Sequence, residues 1–320
     1  MAEPKAPSVN RREMKRLRRQ LDKVARHDST IAEDELFQIL LNSYSDLTEL
    51  SPLLEQPNKD LSRVLSNKGR HSEDIQVEVQ TFLLRHGRTL QWIESIDSDL
   101  ILADAHLYNA SMPKISAASV FSASLITSLV TASPDAVVVH YFCGIHFIPK
   151  DEWYGPKGLI RFITIQVLLS LMSTQSVDLS FIDSREFVQD LEDQNLSRLC
   201  DLLYSIIDQF SEDITIWCVI DSIQRLDKPG TSADLKFVME FLHCLIDDTS
   251  LRPTVKIFMT SLNHNKRSIT QLPIFQADPS RLIPLRPAGA KATRRLCDHA
   301  ISDQISRALP YRGAGPSEEY

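Results

Sequence analysis

Four short runs rich in Val, Ile and aromatic residues are separated by stretches long enough for a helix, and this alternation limits the possible folds most. The runs are "DLILADA" (Asp99–Ala105), "AVVVHYFC" (Ala136–Cys143), "ITIWCVID" (Ile214–Asp221) and "TVKIFMTS" (Thr254–Ser261). Between them, apolar residues at helical spacing predict helices over 117–130, 157–172, 196–210 and 232–246. Strands that alternate with helices pair in parallel and are covered on both faces. The expected fold is therefore α/β, a parallel sheet between two helical layers, with "RLIPLRP" (Arg281–Pro287) as a last short strand.

Upstream the pattern is helical. Helices are predicted over 11–26, 31–50 and 72–86, with Pro52 and Pro57 as breaks between the second and third. The expected organisation is a basic arm and helix over 1–28, a helical module over 29–98, the α/β domain over 99–290, and a C-terminal helix and tail over 291–320.

Charge is unevenly distributed. The chain carries a formal −7, yet Arg11, Arg12, Lys15, Arg16, Arg18, Arg19, Lys23 and Arg26 face only Glu13 and Asp22 in the same stretch, a local +6. Such a helix can dock on a protein partner, on an acidic surface, or on nucleic acid through phosphates. It has no interleaved aromatics, and its apolar seam of Met14, Leu17, Leu21 and Val24 suits packing on the rest of the N-terminal module.

The five cysteines are scattered and never spaced C-x-x-C, which points to reduced thiols and a cytoplasmic protein. No signal-peptide core opens the chain. The longest apolar run, "LIRFITIQVLLSLM", contains Arg161 and Gln166 and is short for a bilayer span, so no transmembrane segment is expected.

Several of these segments, in this order, carry a family likeness over residues 88–290. "RTLQWIESIDSDLILADA", "VVVHYFCG", "GPKGLIRFITIQVLLSL", "WCVIDSIQRLD" and "VKIFMTSLN" resemble the successive motifs of NACHT-type STAND signalling NTPases, particularly their divergent fungal forms. The resemblance implies a P-loop NTPase-like core. Its nucleotide contacts would fall on Lys114, Ser116, Asp221 and Thr260, with Asp221 holding Mg²⁺.

The departures from that pattern concern the chemistry. A phosphate loop needs glycines so that backbone N–H groups can close around the phosphates. The corresponding stretch, "DAHLYNASMPKISAASVF", has none, and the chain as a whole has nine. Ser116 and Ser119 suit an ordinary helix N-cap there. Gln224 and Arg225 stand where second acids belong, and Leu262 replaces a sensor arginine.

Two other constellations invite chemistry. His140, Cys143 and His146 form H-x-x-C-x-x-H, but a strand places His140 and Cys143 on opposite faces, unsuited to sharing an ion. Asp104 and His106 lack a nucleophile, and Asp247-Asp248 reads as a solvated turn. The expectation is thus a non-catalytic NACHT/STAND-like signalling or scaffold protein, working through protein–protein contacts and needing no cofactor. The alternatives are a nucleotide switch with an atypical site that takes ATP or ADP weakly with Mg²⁺, and nucleic-acid binding through residues 11–26.

Overall fold

The computed structural model describes residues 31–42, 52–68, 79–105 apart from 81, 114–261, 269–285 and parts of 302–307. The basic helix, most of the phosphate-loop-like stretch (106–113), Leu262 and the tail lie outside the described residues.

All four β-rich runs form strands: β1 (Asp99–Ala105), β2 (Val137–Phe142), β3 (Thr215–Asp221) and β4 (Thr254–Ser261). With β5 (Leu282–Leu285) they make one five-stranded, all-parallel sheet in the order β2-β3-β4-β1-β5. Helices follow the strands: α4 (Ala117–Ala132) after β1, then α5 (Gly155–Met172), α6 (Arg185–Glu192) and α7 (Leu196–Ile207) between β2 and β3. A 3-10 turn (Ile223–Leu226) and α8 (Ser232–Asp247) link β3 to β4, and the short α9 (Pro273–Ala277) precedes β5.

The strand order explains which helix covers which face. From β1 the chain runs to the far edge at β2, then steps back through β3 and β4 and passes beyond β1 to β5. Right-handed crossovers in opposite directions place their helices on opposite faces. One face accordingly packs Ile101, Ala103, Trp217, Val219 and Phe258 against α4. The other packs Leu102, Tyr141, Ile220, Ile257 and Met259 against α5, α7 and α8. Alternate residues of each strand feed alternate faces, as the pleat requires.

Among the described residues, the helices ahead of the sheet include α1 (Glu33–Leu40), α2 (Gln56–Ser66) and α3 (Gly87–Glu94), and residues 79–80 and 82–85, within the helix expected over 72–86, are helical as well. α1 buries Leu36, Phe37, Ile39 and Leu40 in the core on the α5 side. Val64 of α2 and Trp92 of α3 join the α4 side, where Trp92 meets Trp217 edge-on at 5.1 Å. Pro57, expected to break a helix, sits instead in the first turn of α2, where its missing N–H costs nothing. α5 is long and apolar enough to cross a membrane, but most of it is packed inside the fold, where Arg161 bonds Gln194 and the Glu152 carbonyl.

α2 is also held by charge. His146, in the β2–α5 loop, places Nε2 2.7 Å from Asp60 of α2 and Nδ1 2.9 Å from Asp151. Nearby, His140 Nε2 donates to the Pro57 carbonyl at 3.1 Å.

Candidate functional site

In open parallel sheets, ligands bind outside the carboxyl ends of the strands, where consecutive crossovers diverge. Here that point lies between β1, whose exit leads to α4 on one face, and β4, whose exit leads towards the other. The polar residues gathered at this edge come from three elements that sequence alone cannot align.

Asp221 ends β3 and is 1% exposed. Its Oδ2 accepts from Ser119 Oγ at 2.7 Å and from Ser222 Oγ at 3.0 Å, and its Oδ1 accepts from Thr260 Oγ1 at 2.7 Å. Thr260 in turn accepts the Ser222 N–H at 2.8 Å. This last bond requires a sharp turn, and Ser222 adopts a left-handed backbone with φ 58°. Burial raises the Asp221 pKa, while the three hydroxyls and the charge of Arg225 oppose the shift.

Ser116 caps α4, and with Ser119 it forms a reciprocal capping box. Ser119 Oγ accepts the Ser116 N–H, and Ser116 Oγ accepts the Ser119 N–H, both at 3.0 Å. A hydroxyl has one hydrogen, and that of Ser119 is committed to Asp221. Ser116 is therefore the donor in the 3.0 Å contact between the two hydroxyls. The Ser116–Ser119–Asp221–Thr260 chain is closed, with every hydrogen used.

Of the four expected nucleotide contacts, the structure thus joins three: Thr260 bonds Asp221 directly, and Ser116 reaches it through Ser119. The sequence marked Ser119 only as a possible cap. Lys114 lies elsewhere, its ammonium 5.3 Å from the centre of the Phe147 ring in the β2–α5 loop. Gly144 allows this approach, because a Cβ there would stand 2.0 Å from the Lys114 carbonyl oxygen.

Arg225, at one of the expected acid positions, lies over the same ring at 5.4 Å, and Lys228 at 5.2 Å. Lys228 also donates to the Phe147 carbonyl and sits 5.1 Å from the Tyr154 ring. Gln224, the other expected acid position, is 3% exposed, and neither atom of its amide has a hydrogen-bond partner among the described residues. The sequence singled out Lys114 and Arg225 of this cluster, but neither Phe147 nor Lys228.

The remaining candidates resolve individually. His140 faces the α4 side beside Phe142, while Cys143 belongs to the core on the α5 side, as strand alternation requires. No group of three metal-ligating side chains occurs among the described residues. Asp247 pairs with Arg281 at 2.7 Å, and Asp248 accepts from Tyr204 at 2.8 Å. His106 lies outside the described residues.

Comparison of the chain with protein-family models, curated proteins and solved structures returned no match.

Proposed function

We propose that this chain is a non-catalytic, NACHT/STAND-like signalling or scaffold protein of the cytoplasm that acts through protein–protein contacts. The observation that carries the reading is the state of Asp221. In a working P-loop NTPase the strand-end acid and a helix-start hydroxyl hold Mg²⁺ between them. Here the acid accepts three hydroxyl hydrogen bonds within a buried site, so a metal would have to compete with donors already in place. Mg²⁺ also keeps several of its waters, which a site this closed does not accommodate. The raised Asp221 pKa disfavours the anion that a metal needs, and Arg225 adds a positive charge four residues on. The residues present therefore fit magnesium poorly.

Support for descent from that family is the order of elements. The segments that resemble its motifs form β2, α5, β3 and β4 in sequence, and the first turn of α4 meets the strand-end acid.

Calorimetry and phosphate-release assays with Mg-ATP and Mg-ADP test the reading. No turnover and no magnesium-dependent affinity are expected. Hydrolysis, or low-micromolar magnesium-dependent binding that disappears in Asp221→Ala, would establish the nucleotide switch instead.

A further inference from the structure

We propose that Gln166 serves as a stand-in strand: its side-chain amide closes the outer edge of β2 and so keeps two copies of this chain from joining their sheets. The proposal depends on neither the scaffold reading nor the Asp221 site.

Among the described residues β2 is an outer strand, paired with β3 along one side. The Cys143 N–H donates to the Asp221 carbonyl of β3 at 3.0 Å. Odd-numbered residues therefore turn their backbone groups to β3, and Val138, His140 and Phe142 turn theirs outward. Outward N–H and C=O groups are a template for a further strand, and proteins blunt them with charge, proline, bulges or short length. The opposite edge among the described residues follows that rule, since β5 has four residues and carries Pro284. The β2 segment "VVVHYF" does not. It holds no acid, lysine, arginine or proline, and its register with β3 is unbroken. Burial lowers the pKa of His140, which keeps the ring neutral at pH 7.

Gln166 of α5 supplies what this segment lacks. Its Oε1 accepts the His140 N–H at 3.1 Å, and its Nε2 donates to the His140 carbonyl at 2.9 Å. These are the two bonds that a facing residue of an antiparallel strand would exchange. The second amide hydrogen goes to the Phe162 carbonyl at 3.1 Å, so both amide hydrogens are used and the orientation of the group is fixed. The arrangement is buried, with Gln166 8% and His140 5% exposed. From the opposite face, the His140 ring is tied to the Pro57 carbonyl of α2. The Phe142 carbonyl is occupied by the Ile145 N–H at 2.9 Å.

The partner held off in this way is a second copy of the chain. Val138 and Phe142 lie symmetrically about His140, so two such edges match antiparallel across a two-fold axis, 138 opposite 142 and 140 opposite itself. Gln166 engages the residue that would sit on that axis.

The test is sedimentation velocity on the full-length wild type, Gln166→Leu and the double variant Gln166→Leu/Val138→Pro. Proline at 138 removes an outward N–H and leaves the bonds to β3 in place. Gln166→Leu should dimerise at concentrations about tenfold or more below any at which the wild type does, and the double variant should return to wild-type behaviour. A folded Gln166→Leu that associates no more than the wild type would overturn the proposal. So would association that survives Val138→Pro, which would use another surface, or a wild-type dimer that Val138→Pro dissolves. If circular dichroism shows Gln166→Leu unfolded, hydrogen exchange of the wild type decides. The His140 amide should then exchange as slowly as those of Val139 and Tyr141, and exchange about tenfold faster or more would sink the idea.

Discussion

The Ser119 hydroxyl donates a 2.7 Å hydrogen bond to Oδ2 of Asp221, joining the first turn of α4 to the end of β3 across 102 residues of chain. Both ends are buried, so water cannot replace either partner. In Ser119→Ala the carboxylate loses one of three donors and α4 loses half of its capping box. The expected cost is about 1–3 kcal/mol, measured as a lower urea midpoint with an unchanged m value.

His146 makes a second prediction, in pH. Both ring nitrogens face carboxylate oxygens, which only accept, so the ring must carry both protons. Burial alone would lower its pKa, but the bonds to Asp151 and Asp60 outweigh that and raise it to about 9. A histidine with a raised folded-state pKa contributes stability that is complete below its unfolded value and lost as pH rises through the folded one. Stability on the order of 3 kcal/mol should therefore disappear between about pH 6.5 and 9. The imidazole resonances of His146 in an NMR titration report the same transition, and Asp60→Asn should move it to lower pH.

Lys256 behaves in the opposite sense. It lies within β4, 1% exposed, on the face shared with Trp217 and Phe258, and its ammonium has no hydrogen-bond partner among the described residues. Asp99 is its neighbour on β1 but is already held in a two-pronged pair by Arg88 at 2.6 and 2.7 Å. Burial lowers the lysine pKa to about 8, against the pull of Asp99 and Asp97. The charge therefore penalises the fold fully below about pH 8, and the penalty fades as pH rises towards 10.5. Lys256→Met should stabilise the protein by about 1 kcal/mol or more at pH 7. Thermal melts of both proteins should show the advantage shrinking under alkaline conditions.

These cases show what was legible beforehand. The four main strands could be read because runs such as "AVVVHYFC" have little use except in a doubly covered sheet, and their boundaries fall within a residue of expectation. The α/β class and the two helical layers follow from them. α6 was missed because it is only eight residues long, so its apolar stripe of Phe187, Val188 and Leu191 is one short cluster among polar residues. α2 was hidden by Pro57, since a proline stops one helix and starts another equally well. Nothing in "TVKIFMTS" marks Lys256 as buried, because strand periodicity assigns a face but not what covers it.

The candidate site was legible only in part. Ser116, Asp221 and Thr260 could be nominated one at a time, but their meeting at Asp221, directly for Thr260 and through Ser119 for Ser116, depends on the order of strands. The same holds for Phe147, which gathers cations from positions 114, 225 and 228. Spatial neighbours contributed by three loops have no common spacing along the chain.

The placement of β1 has a further consequence for how the polypeptide is made. Among the described residues its partners are β4 and β5, so about 150 residues must follow it before it can form a ladder with either. At typical ribosomal speeds that is roughly 8–30 s during which an apolar segment waits without a mate. Shortened forms ending ahead of Thr254 keep that orphan for good, and should need chaperones or clump, whereas those ending just beyond Ser261 have closed the gap.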